Sequence, residues 1–149
     1  NSPAFNTFIA AQINLNCNSM LMNGTKVSDL VTISGDVHHI FPRAYLKNNG
    51  VTNKTKYNQV ANYIFLDTQV NKAISDDAPA TYFTKAKQQC VTKKIELGNI
   101  SDESLLVSNL SENCIPDDID TMDVSSYDDF LRERRKLMAA LIEKYYKGL

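Results

Sequence analysis

Two histidines stand side by side in this chain, His38 and His39, and no others occur. An imidazole titrates near neutrality, so it can take a proton from water at physiological pH. A lone histidine in a strand is usually a satisfied core residue. Two in succession, with Asp36 before them and Ile40-Phe41-Pro42 after, are harder to assign to packing alone. Alternation along a regular strand would bury one ring and expose the other. A strand that ends at Pro42 instead lets both rings reach one site.

These side chains need elements to position them. Ser2-Pro3 reads as a helix start, and Phe5, Phe8, Ile9 and Ile13 continue it over about 3–16. Asn23-Gly24 is a turn, Leu30-Val31-Thr32-Ile33 is β-branched, and Gly35 is placed to bend the chain before Asp36. Asp36 to Pro42 reads as a short strand, Lys47 to Gln59 as a polar loop, and Asn62 to Leu66 as a second strand. Asp67 or Thr68 caps a short helix carrying Val70, Asn71 and Ile74. Further helices are expected over about 79–89, 101–113 and 126–147, with an acidic, irregular stretch from Cys114 to Val124. In the last helix Tyr127, Phe130, Leu131, Leu137, Met138, Leu141, Ile142 and Tyr145 form an apolar stripe, which predicts core packing. Arg132, Arg135 and Lys136 fall on its other face.

The run Asp36-Val37-His38-His39-Ile40-Phe41-Pro42-Arg43, then Asn62-Tyr63-Ile64-Phe65-Leu66, then Asn71, resembles the HNH (His-Me finger, ββα-metal) nucleases. The second asparagine follows the first by nine residues, the usual step from second strand to helix. More narrowly, Asn58 to Phe83 and the terminal FLRERRKLMAALIEKYYKGL look like the C-terminal domain of GmrSD-type modification-dependent restriction enzymes. The motif covers 36–83, about a third of the chain.

The resemblance implies an α+β domain: a ββα-metal core over about 31–76, wrapped by N- and C-terminal helices. It implies an endonuclease that hydrolyses DNA with Mg²⁺ or Mn²⁺. His39 would be the general base, Asn62 would orient it, and His38 and Asn71 would hold the ion. Asp36 would be a third ligand or a partner to His38. Arg43, Lys47, Lys54, Lys56 and Lys72 would meet the double-stranded DNA. The implied setting is bacterial, cytoplasmic restriction of modified phage DNA, with recognition supplied by a nucleotide-hydrolysing domain in the same longer protein or in a partner subunit. Two positions depart from the family pattern. Tyr63 stands where Leu is commoner, and Asp77 where many relatives carry Lys, which removes a possible phosphate contact.

Composition agrees with a single folded domain. The chain has 149 residues, 43% of them hydrophobic, which suffices for a core without disulfides or structural metal. Cys17, Cys90 and Cys114 are odd in number and far apart, so three buried, reduced thiols are expected. No apolar run reaches 18 residues, and the first residues lack a basic-then-apolar leader. The absence of an initiator Met predicts a chain that starts inside a longer protein.

Net charge is −1, but it is segregated. Residues 36–94 carry nine Lys/Arg against four Asp, residues 101–130 carry nine acids and no base, and 131–149 carry six bases against two acids. A duplex should follow the first region and avoid the second. The rivals are a catalytically inactive DNA-binding or assembly module that keeps the finger fold, and a structural zinc site using the histidines with a cysteine. An intact His39 argues against the first, and the lack of a second close ligand pair against the second.

Overall fold

The computed structural model describes residues 2–33 and 37–149, so Gly35 and Asp36 lie outside the described residues. In chain order the elements begin with α1 (Pro3–Asn14), α2 (Val27–Ile33), β1 (His38–His39), α3 (Arg43–Asn48) and α4 (Lys54–Tyr57). They continue with β2 (Tyr63–Ile64), α5 (Thr68–Ile74), α6 (Pro79–Thr92), α7 (Glu103–Glu112) and α8 (Tyr127–Lys147). Strands β1 and β2, separated in sequence by α3 and α4, pair antiparallel, giving a mixed helix-and-sheet fold.

The outer helices form for local reasons. Ser2 Oγ accepts from the Phe5 amide at 3.4 Å, and Pro3 opens α1. The helix buries Phe5, Phe8 and Ile9 and lies along α8, which contributes Phe130, Leu131 and Met138 to the same core. From α6, the buried Tyr82 hydroxyl donates to the Ile40 carbonyl at 2.7 Å, tying that helix to the chain just after β1. Asp102 caps α7 through the Leu105 amide. No helix among the described residues is long and apolar enough to cross a membrane. Cys17, Cys90 and Cys114 are buried free thiols.

With so little strand, much of the interior is irregular backbone, whose polar groups must still be satisfied. Buried side-chain amides do this. Asn109 accepts from Leu21 N at 2.7 Å and donates to Ser19 O at 2.9 Å and to Met22 O at 3.0 Å. Gln89 accepts from the Glu96 and Leu97 amides and donates to the Leu97 and Ile100 carbonyls. Beside this loop Gly98 has φ +63°, and a Cβ there would overlap the Leu21 carbonyl oxygen.

Several local expectations need correction. The β-branched run at 30–33, to which the sequence assigns no element, is helical: Val27 and Leu30 face the core, and Asp29 accepts from the Lys26 amide at 2.9 Å at the helix start. The polar loop from Lys47 to Gln59 contains the end of α3 and all of α4, which Asn53 caps through the Thr55 amide. Both strands shrink to two residues, and Asn62 falls in a 3₁₀ turn, Val60–Asn62, just ahead of β2. The α8 stripe is buried only as far as Met138. Leu137 is 38% exposed, and Leu141, Ile142 and Tyr145 are half-buried.

Candidate functional site

Strand β1 pairs His38 with Ile64 and His39 with Tyr63. Residues directly opposite in an antiparallel ladder share a face. The ladder is only these two pairs long, with Pro42 three residues past His39. His39 shares its face with Tyr63, whose ring meets it edge-on at 5.4 Å and meets Phe5 of α1 at 5.6 Å. His38 stands opposite the buried Ile64. Both imidazoles are half-buried.

The side chain that holds His39 is Asn58. Its Oδ1 lies 2.9 Å from Nε2. With that oxygen accepting, the proton sits on Nε2 and the lone pair is on Nδ1. Burial lowers the His39 pKa below the ordinary 6.5; the Asn58 hydrogen bond opposes this, and Arg43 and His38 reinforce it. The shift favours the neutral ring, the form a base requires.

Asn62 works one step back. It is fully buried, and all three of its side-chain hydrogen bonds go to backbone. Oδ1 accepts from Phe41 N at 2.8 Å, while Nδ2 donates to Phe41 O at 3.1 Å and to Tyr57 O at 3.3 Å. Its own carbonyl accepts from Ile40 N at 2.9 Å. Asn62 thus extends the two-residue ladder with a side chain and pins both segments that carry the His39 surroundings. Any positioning of His39 by Asn62 runs through the backbone, because the 3₁₀ turn sends this amide inward.

Asn71 lies on α5, whose N-cap Asp67 accepts from Gln69 N at 2.9 Å and from Val70 N at 3.4 Å. Val70 and Ile74 take the core face, and Asn71 is half-buried beside them. Among the described residues no three or more His, Cys, Asp or Glu gather to hold a metal. Asp36 is outside those residues, so the donors on offer are the His38 imidazole and the Asn71 amide oxygen.

The cations divide into two groups. Arg43 opens α3 close enough to depress the His39 pKa, and the Lys47 ammonium sits 5.3 Å from the Tyr57 ring, which in turn stacks toward His39 at 6.5 Å. Lys54 and Lys56 are exposed on α4, which the Tyr127 hydroxyl ties to α8 through the Lys56 carbonyl at 2.7 Å. Arg135 joins this side through Gln59 Oε1 at 3.1 Å. Lys72 stands apart, in a hollow shared with Asp67 and Glu96, and Arg132 is paired with Asp129.

One residue carries more than its place in the sequence suggests. Arg134 is fully buried on α8. Its Nη1 donates to the Ala61 carbonyl at 3.0 Å and the Tyr63 carbonyl at 2.7 Å, and its Nη2 to the Asn113 carbonyl at 3.3 Å. The guanidinium lies 5.5 Å from the Phe8 ring, and its Nε has no hydrogen-bond partner among the described residues. Ala61 and Tyr63 flank Asn62, so Arg134 clamps the turn that Asn62 uses. Its position inside the apolar stripe, three residues after Leu131 and four before Met138, was the available signal. Asn58 had no such signal. Comparison with protein-family models, curated proteins and solved structures finds no match.

Proposed function

We propose that this chain is a metal-dependent endonuclease domain of the His-Me finger kind, hydrolysing DNA phosphodiester bonds. The observation that carries the reading is His39: a half-buried imidazole whose Nε2 lies 2.9 Å from Asn58 Oδ1, its pKa lowered by burial and by the charge of Arg43. Strand β1 with His39, the turn of Asn62 with β2 after it, and α5 with Asn71 would be the ββα-metal core.

In this reading His39 Nδ1 accepts the proton of the water whose oxygen bonds to phosphorus. The bond from phosphorus to the leaving sugar oxygen then breaks, and that oxygen takes a proton from solvent. Arg43 and Lys47 hold the phosphate, and Asn62 with Arg134 keeps the His39 turn in register. The donor set fits an ion held lightly, since one imidazole and one amide oxygen leave most positions to other oxygens, as Mg²⁺ or Mn²⁺ allows. Bound by His38 and Asn71, such an ion would supply positive charge against the phosphate and the leaving oxygen. The setting follows from the same reading: modified double-stranded phage DNA, a nucleotide-hydrolysing recognition partner, and a cytoplasmic restriction system.

The test is nicking of supercoiled plasmid in Mg²⁺ or Mn²⁺, with EDTA and His39→Ala as controls. Losing a positioned base should cost about 10²–10⁴ in rate. A folded His39→Ala domain that nicks at the wild-type rate defeats the assignment. A wild-type domain that binds duplex but never cuts supports the inactive module instead.

A further inference from the structure

The acidic stretch, which DNA should avoid, forms one wall of a groove of about 880 Å³. The other wall is α8, where Asp129, Glu133, Leu137, Leu141 and Lys144 recur at three- or four-residue steps on one face. Its apolar lining is Ile115 and Met122, both buried, with Leu137, which is 38% exposed, and Leu141, half-buried. Around this lining stand the carboxylates of Asp117, Asp118, Asp129 and Glu133, against the single ammonium of Lys144. Among the described residues only Asp129 of these four is in an ion pair, with Arg132.

An apolar floor with a charged rim has the anatomy of a protein interface, and helix-in-groove recognition reads anchors at this spacing. The charge decides the occupant. Four carboxylates repel nucleic acid, and a symmetric pairing of two copies would bring acids against acids. We propose that this groove docks a cationic amphipathic helix of a separate protein partner, leucine-like residues on the floor and Lys or Arg at the rim. The proposal does not depend on the nuclease reading, because the groove uses neither histidine nor any residue assigned to DNA.

The probe is a labelled synthetic Leu/Lys helix of about five turns, roughly 18 residues, with its leucines on one face. It is titrated with the intact chain by fluorescence anisotropy at physiological salt. Micromolar binding is expected, of the order seen for small helical contacts. Asp117→Lys with Glu133→Lys should weaken it about tenfold or more, and Leu137→Ser with Leu141→Ser by a similar factor. Asp128→Lys with Glu143→Lys, which reverses two exposed acids of α8 outside the groove, should change it less than about twofold. The proposal is overturned by absent binding, by equal losses in the control variant, or by indifference to the leucine pair. Equal affinity for a Leu/Glu helix of the same pattern also overturns it. So does self-association in sedimentation that Leu141→Ser abolishes, since a second copy would then be the occupant.

Discussion

Replacing Arg134 by Met removes the guanidinium while keeping an unbranched side chain in a fully buried slot. Two opposing quantities set the outcome. Three hydrogen bonds to carbonyls, at 3.0, 2.7 and 3.3 Å, are lost; each bond from a charged donor contributes about 1.5–3 kcal/mol. Against this, burial lowers the Arg134 pKa from the ordinary 12.5 to about 10, so holding the cation costs about 3 kcal/mol. The bonds outweigh that cost, and Arg134→Met should destabilise by about 2–5 kcal/mol. In urea the midpoint should fall by about 1–2 M with an unchanged slope. The same substitution frees the carbonyls on either side of Asn62, so hydrogen exchange at the Phe41 and Ile40 amides should accelerate before the rest of the core. Arg134→Lys keeps the charge but not the fork, and should fall well short of restoring stability. A Met variant within about 0.5 kcal/mol of wild type, with Phe41 exchange unchanged, would refute the clamp.

Three further outcomes are expected. His38→Ala and Asn71→Ala should each weaken binding of Mn²⁺ in calorimetry, and part of the lost cleavage should return at high Mn²⁺; unchanged affinity in both removes them as ligands and turns attention to Asp36. Arg43→Ala, and Lys54→Ala with Lys56→Ala, should reduce the slope of log K against log salt by roughly 0.9 per lost phosphate contact. That binding is measured on a short duplex in Ca²⁺ to block cleavage, and unchanged slopes would put the DNA elsewhere. Burial pushes the Cys17 and Cys114 thiols up to about 11 and raises Cys90. At pH 8 only about one part in a thousand of Cys17 or Cys114 is then thiolate, so a disulfide reagent should modify them only after denaturation. Reaction of either at the rate of a free thiol in the folded chain would contradict this.

The sequence alone determined what local chemistry controls. Ser2-Pro3 starts α1, Asp67 caps α5, Pro79 opens α6, and the 3.6-residue apolar period marks α8. It also located His38, His39, Asn62 and Asn71 near two short strands and a helix, because motif spacing survives as linear order. Tertiary structure decided the rest. The β-branched run at 30–33, left without an element by the sequence, is helix, because Val27 and Leu30 at a three-residue step both reach the core. Propensity is weaker than burial. Asn62 became a backbone pin, and Asn58 took the imidazole, because a buried turn without sheet partners claims the nearest inward-facing amide. Arg134 sits in the middle of the core. Three carbonyls from residues 61, 63 and 113 converge there, and only a fold that brings those distant segments together can make such a site for a buried cation.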